Sequence, residues 1–134
     1  MSFAVRCAKR SADTRWLVGA LVYAALIFFV SSQPYLLAPG PEFELKDNLA
    51  HAIEYGVMAA LLFRALAPVV WPDALIAFLL VVTVTACLAS ADEVFQGTVP
   101  GRHRDILDWV SDLAGAGVAT VLSMAWARRA GTTA

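Results

Sequence analysis

The chain has 134 residues, of which 60% are hydrophobic, and its formal net charge is −1. A soluble domain usually contains about 45–50% apolar residues, and a chain this short has too little interior to bury the excess. The near-neutral charge gives no reason to expect a nucleic-acid partner, and two widely separated cysteines form neither a disulfide framework nor a metal-ligand spacing. The apolar residues stand in long blocks, which predicts an all-α integral membrane protein.

The first apolar block predicts a membrane helix from about residue 16 to residue 32. A basic tail, residues 1–15, precedes the helix, and Pro34 ends it. The uncharged stretch is longer than the apolar region of a signal peptide, which is about 7–15 residues, so we expect no cleavage there. The proline-rich and acidic segment 33–46 is predicted to be an irregular loop.

Three further helices are predicted after this loop. Their approximate ranges are 47–70, 73–96 and 105–128. We expect Pro68 and Pro72 to form a short connection between the second and third helices, and Pro100 to mark the turn before the fourth. The four-helix domain therefore occupies residues 16–128, and residues 129–134 form a short C-terminal tail.

The placement of lysine and arginine predicts the orientation of the bundle. The N-terminal tail is basic, and the fourth helix ends with Arg128 and Arg129. The positive-inside rule therefore predicts that both termini are cytoplasmic and that the two longer loops lie outside. Arg102 and Arg104 oppose this rule in an outer loop, so we expect them to have another role, such as pairing with nearby acids.

Polar residues recur at helical spacing near the predicted outer ends of three helices. Each of three groups shares one helical face: Asp47, His51, Glu54 and Tyr55; Glu93 and Gln96; Asp105, Asp108 and Asp112. An ionised group in lipid costs about 2.5–3.5 kcal/mol, so these groups should turn inward and form a shared pocket. The candidate ligand-binding residues are His51, Glu54, Tyr55, Glu93, Gln96, Arg102, Asp108 and Asp112.

Each group also has a purely structural interpretation. The face containing His51 is either a head-group or proton-transfer site or a hydrogen-bonded helix cap. Glu93 and Arg102 either recognise a phosphate or carboxylate or form a salt bridge that fixes the loop. Asp105 fits a capping role, whereas Asp112 lies too far into the helix for that and needs a partner. A single histidine is weak evidence for a metal, so we predict no metal and no cofactor, and we assign no catalytic residue.

Small residues recur on the fourth helix at Ser111, Gly115 and Ala119. This spacing allows a second helix backbone to approach closely. The approaching helix could belong to the same chain, to a second copy or to another membrane protein.

Four motifs in a fixed order resemble the VanZ-like family of bacterial membrane proteins. They are Ser31-Ser32-Gln33-Pro34, Asp47-x-x-x-His51-x-x-Glu54-Tyr55-Gly56, Glu93-x-x-Gln96-x-x-Val99-Pro100-Gly101-Arg102 and Asp105-x-x-Asp108-x-x-x-Asp112-x-x-Gly115. The set spans nearly the whole chain, and its order is more specific than any single motif. The chain departs from the family pattern at Asn48 and at Asp112, where it carries an additional acid.

The resemblance implies a multi-pass protein of the bacterial inner (plasma) membrane that belongs to the cell envelope. The family is named for a protein linked to resistance against teicoplanin, a glycopeptide antibiotic. We therefore expect the outward-facing pocket to bind a polar or anionic head group of a membrane lipid or lipid-linked precursor. Two alternatives stay open: an enzyme that acts on a lipid head group, and a structural or oligomeric partner that packs through the fourth helix.

Overall fold

The computed structural model describes residues 11–34, 41–70 and 73–130, with the backbone alone for residues 41–44. Within these ranges the regular elements are all α-helices: α1 (Thr14–Ser31), α2 (Pro41–Val70), α3 (Ala74–Gln96) and α4 (Ile106–Arg129). Each helix is long and apolar enough to cross a membrane. The prediction of an all-α bundle of four membrane helices is therefore confirmed.

Aspartate residues begin three of the helices. Asp13, Asp73 and Asp105 are the N-caps of α1, α3 and α4, and each side chain accepts a hydrogen bond from a backbone N–H in the first turn. Such a cap satisfies a donor that has no partner within the helix. The capping role predicted for Asp105 is confirmed, and α3 begins at Ala74 because Asp73 is its cap.

Two predictions about prolines were wrong. The predicted loop 33–46 is helical from Pro41 onwards, because proline fits the first turn of a helix, where no N–H is needed. The predicted end of the second helix at residue 70 is confirmed, but Pro68 lies inside α2 and not in the connection, since prolines are tolerated in membrane helices whose neighbours compensate for the lost hydrogen bond. Pro72 and the segment 35–40 lie outside the described residues.

Helix α2 is the centre of the bundle. It packs against α1, α3 and α4, and most extensively against α4. The buried apolar core is Ala20, Ile27, Tyr55, Met58, Ala59, Leu62, Phe63, Ala77, Val81, Ala89 and Ala116. Large apolar side chains remain exposed on the outer surface, including Leu21, Leu75, Ile106 and Leu122. Such a continuous exposed apolar surface is unusual for a soluble monomer and suits contact with lipid chains.

The small residues of α4 allow the closest helix contact in the bundle. A Cβ atom at Gly115 would overlap the main-chain carbonyl of Ala52, and a Cβ atom at Gly56 would lie 3.3 Å from the carbonyl oxygen of Gly115. The helix that approaches this face is therefore α2 of the same chain. This contact brings the N-terminal half of α2 against the N-terminal half of α4, where the polar residues lie.

Candidate functional site

One end of the bundle buries a group of polar side chains that we call the polar cluster. Its members are Ser31, His51, Tyr55, Asp92, Glu93, Gln96 and Asp112, and none is more than 8% exposed. They come from the C-terminal ends of α1 and α3 and the N-terminal halves of α2 and α4. Successive helices run in opposite directions, so these segments meet at the same end of the bundle. Five of the eight predicted site residues belong to the cluster, and the other three, Glu54, Arg102 and Asp108, lie directly beside it.

The imidazole of His51 lies between two aspartates of α4. Its Nδ1 is 3.0 Å from Oδ1 of Asp112, and its Nε2 is 3.8 Å from Oδ2 of Asp108. His51 is 6% exposed and Asp112 is 1% exposed. A buried pair of this kind is strongly destabilised when one partner is removed. Asp112 lies too far into α4 to act as a cap and was expected to have a polar partner, and His51 is that partner.

Asp92 joins α1 to α3. Its Oδ2 accepts hydrogen bonds from Oγ of Ser31 at 2.9 Å and from Nε2 of Gln96 at 2.8 Å. The amide of Gln96 also accepts a hydrogen bond through Oε1 from the guanidinium of Arg102 at 3.0 Å. The network therefore connects two helix ends with the loop before α4.

Arg102 makes further hydrogen bonds to the end of α1. Its Nε donates to the carbonyl oxygen of Gln33 at 3.0 Å, and Nη2 donates to that of Val30 at 3.3 Å. Arginine side chains commonly satisfy the last carbonyl groups of a helix in this way. These contacts make Arg102 a residue that positions the loop, and with the acid Glu54 it interacts electrostatically.

Glu93 connects the polar cluster to the start of α4. Its Oε2 accepts a hydrogen bond from the backbone N–H of Asp105 at 3.0 Å. Together with His51 and Asp112 it offers three ligand atoms, one per residue, that lie within 4.8 Å of one another. Glu54 is half-buried beside this group and interacts electrostatically with His51 and Asp112.

Three buried oxygen atoms of the cluster have no hydrogen-bond partner among the described residues. They are the hydroxyl of Tyr55, Oδ1 of Asp92 and Oε1 of Glu93. The Tyr55 hydroxyl interacts electrostatically with Asp92 but does not meet hydrogen-bond geometry. A buried polar atom without a partner costs about 1–3 kcal/mol, so this cluster has the capacity to hold additional donors or a cation.

A groove of about 440 Å³ runs along the outside of the cluster. Its lining residues are Ser90, Glu93, Arg104, Asp105, Ile106 and Trp109. Glu93 belongs to both the groove and the cluster, so the groove leads to the buried polar group. The indole N–H of Trp109 donates to Oγ of Ser90 at 3.0 Å and ties the two walls together. Arg104 is exposed and packs over Gly97, where an added Cβ atom would collide with its guanidinium.

The sequence did not single out four of these residues as site candidates. Asp92 and Gln96 stand four residues apart on one helix face, a spacing that would have identified Asp92. Ser31 is 61 residues from Asp92, and no local pattern connects them. The sequence predicted only that Arg104 lies in an outer loop and pairs with nearby acids, and the groove that it forms with Trp109 depends on tertiary packing.

The comparison with known proteins identifies a family. The sequence model described as VanZ/LLP1 matches residues 16–127, which is most of the chain. Searches of curated proteins and of solved structures found no match. The chain belongs to the VanZ/LLP1 family.

Proposed function

We propose that this VanZ/LLP1 protein acts in the bacterial cell envelope and binds the polar or anionic head group of a membrane lipid or lipid-linked precursor. The head group occupies the groove next to Glu93, and the lipid chains lie along the exposed apolar surface of α3 and α4. The observation that carries the proposal is the groove itself, which combines an exposed arginine with an aromatic wall and leads to a buried polar cluster.

The lining of the groove suits an amphiphilic ligand. Arg104 presents a guanidinium, whose planar set of donors matches phosphate and carboxylate groups. Trp109 and Ile106 add aromatic and aliphatic surface, and tryptophan is favoured at the level of lipid head groups. The partnerless oxygens of the cluster accept hydroxyl or ammonium donors of the same head group.

The predicted orientation indicates which leaflet of the membrane supplies the ligand. The positive-inside rule places the polar cluster on the outer side, where the groove meets the outer leaflet. Lipid-linked cell-wall precursors and lipid-tailed glycopeptide antibiotics both present polar groups there. A link to resistance against teicoplanin-type antibiotics is therefore part of this proposal.

Comparative mass spectrometry of lipids bound to the purified protein tests the proposal. The variants are Arg104→Gln in the groove and Arg129→Gln, a matched control at the other end of α4. We expect wild type and Arg129→Gln to retain the same lipid class, and Arg104→Gln to retain at least about tenfold less. A hydrogen bond to a charged group contributes about 1.5–3 kcal/mol, and 1.4 kcal/mol corresponds to a factor of ten. Equal retention by Arg104→Gln, or no retained lipid in wild type, contradicts the proposal.

The contact between His51 and Asp112 favours an enzyme as the second candidate. A buried carboxylate that orients an imidazole is the usual arrangement for general acid–base catalysis. An enzyme of this kind produces a converted lipid in membranes that contain the protein. A converted lipid that disappears in a His51→Asn variant would favour the enzyme over simple binding.

A further inference from the structure

The polar end of the bundle buries more carboxylates than basic side chains. Asp92, Glu93 and Asp112 are buried, and Glu54 and Asp108 are half-buried close by. His51 faces Asp112 and Asp108, and the guanidinium of Arg102 donates a hydrogen bond to Gln96 at the edge of this group. Carboxylates in a low-dielectric interior need cations, protons or several hydrogen-bond donors to remain there.

Three of these side chains have the geometry of a metal-ligand set. One ligand atom each from His51, Glu93 and Asp112 lies within 4.8 Å of the other two, and all three residues are buried. Ligands stand about 2.0–2.2 Å from a tetrahedral metal ion, so neighbouring ligands are about 3.3–3.6 Å apart. Nδ1 of His51 and Oδ1 of Asp112 are already 3.0 Å apart, and the longest separation in the set needs to contract by at most about 1.5 Å to hold one ion.

An independent observation points to a ligand at the same place. Oε1 of Glu93 is fully buried and has no hydrogen-bond partner among the described residues, although the other oxygen is bonded to the backbone of Asp105. Glu93 as a whole is 8% exposed. The hydrogen bonds within the cluster leave this oxygen unused, and a cation would satisfy it.

The two ring nitrogens of His51 each face a carboxylate, which indicates how the imidazole would bind a metal. Its Nδ1 faces Asp112 at 3.0 Å, and its Nε2 faces Asp108 at 3.8 Å. Histidines that bind metals usually donate their second ring N–H to a carboxylate. With Nδ1 as the ligand, Asp108 is the carboxylate that faces Nε2, and the distance of 3.8 Å between them must shorten for this hydrogen bond to form. Binding replaces the proton held between Nδ1 and Asp112, and that proton leaves to solvent. Glu93 lines the groove and so provides the entry path.

We propose that His51, Glu93 and Asp112 bind one divalent transition-metal ion of the Zn²⁺ or Mn²⁺ type inside the bundle. Imidazole with carboxylates suits these ions, whereas Mg²⁺ prefers oxygen ligands and retains its water. The sequence argued against a metal because His51 was the one histidine among the candidate ligands, and the structure changes that argument by bringing Glu93 and Asp112 within 4.8 Å of it. The ion binds whether or not a lipid occupies the groove, so this inference stands apart from the proposed function.

Electron paramagnetic resonance of Mn²⁺ tests the site on the purified full-length protein in detergent. After dialysis against a chelator, we expect wild type to bind one Mn²⁺ per chain, with a nitrogen coupling from imidazole in the pulsed spectrum. Zn²⁺ should displace the bound Mn²⁺, whereas Mg²⁺ at equal concentration should not. Absence of a one-to-one site, absence of the nitrogen coupling, or displacement by Mg²⁺ overturns the proposal without any variant.

A pair of variants locates the ion. Glu93→Gln removes a proposed ligand, and Asp92→Asn removes one negative charge from a buried acid outside the ligand set. We expect Glu93→Gln to weaken Mn²⁺ binding by more than about tenfold and Asp92→Asn to retain it within about twofold. Equal losses in the two variants would mean that general negative charge, and not this site, attracts the ion.

Lipid analysis of the metal-free protein separates this inference from the proposed function. Metal binding by a wild-type protein that retains no lipid supports the site and contradicts head-group binding. Lipid retention by a protein that fails to bind Mn²⁺ or Zn²⁺ supports head-group binding and contradicts the metal site.

Discussion

A single carboxylate oxygen of Asp92 holds two helix ends together. Oδ2 accepts hydrogen bonds from Ser31 and Gln96 inside the bundle. Asp92→Ala leaves both donors without this acceptor, and we expect it to lower the free energy of unfolding by about 1–3 kcal/mol. Asp92→Asn keeps an acceptor oxygen at the same place, so its free energy of unfolding should fall by less. Thermal unfolding in detergent measures both, and equal losses would show that the charge rather than the hydrogen bonds matters.

Arg64 stabilises the opposite end of the bundle through aromatic contacts. Its guanidinium carbon lies 4.1 Å from the ring centroid of Trp126 and 5.4 Å from that of Trp16. A cation over an aromatic face contributes about 0.5–2 kcal/mol, so Arg64→Gln should destabilise the protein by about that amount. Arg64→Lys should destabilise the protein by less than Arg64→Gln, because lysine keeps the positive charge although it loses the planar stacking.

A matched control and a double-mutant cycle test the role of Arg64. Arg15 has a side chain that is 90% exposed, so Arg15→Gln should leave thermal unfolding nearly unchanged. Combining Arg64→Gln with Trp126→Leu should cost less than the sum of the two single changes, because the contact is already lost. Strict additivity would mean that Arg64 and Trp126 do not interact.

The sequence predicted which residues of the site face inward but not how they pair. Helical spacing places His51 on one face of α2, and the cost of charge in lipid turns that face toward the bundle. The choice between Asp108 and Asp112 as its neighbour depends on the rotation of α4 against α2. That rotation is set by the contact of Gly115 with Ala52, and the small-residue pattern of α4 does not specify Ala52 as the partner.

At the level of helices, the contact between α2 and α4 depends on one glycine. A Cβ atom at Gly115 would overlap main-chain atoms of Ala52, and the backbone cannot move aside as a side chain can. We expect Gly115→Ala to separate the helices and to lower stability by about 1–3 kcal/mol, as overpacking does. Gly117→Ala is the matched control, since nothing lies within 4 Å of its Cβ position. It should be neutral or stabilise by up to about 1 kcal/mol, because alanine favours a helix.

The same two variants address the hypothesis of a partner protein. Destabilisation of the isolated chain by Gly115→Ala supports intramolecular packing of this face. Unchanged unfolding of the purified chain, together with loss of a complex in the membrane, would favour a partner on α4 instead.

The helices themselves were predictable because their apolar blocks are long and uninterrupted. The errors fell at prolines, which local rules treat as breaks. Pro41 begins α2 and Pro68 lies within it, because a first-turn proline sacrifices no hydrogen bond and a packed membrane helix tolerates another. The start of α2 was therefore missed, whereas its end at residue 70 and the cap at Asp105 were visible in the sequence.

For the whole molecule, the decisive prediction is the side of the membrane on which the polar cluster lies. Four successive antiparallel helices place Thr14 and Arg129 at the same end of the bundle, together with Arg64. The basic residues at that end predict that it is cytoplasmic. Arg102 opposes this rule at the polar end, but its hydrogen bonds to Gln96 and to main-chain carbonyls give it a structural role there.

Single-cysteine labelling tests this orientation. In a background with Cys7 and Cys87 replaced by serine, one variant carries Thr98→Cys in the exposed loop after α3 and another carries Ala130→Cys after α4. We expect a membrane-impermeant maleimide to label Thr98→Cys in intact cells and Ala130→Cys only after the membrane is permeabilised. Labelling in the reverse pattern would turn the polar cluster toward the cytoplasm. The groove would then meet the inner leaflet, and a ligand from the outer leaflet, including a glycopeptide antibiotic, could not reach Arg104.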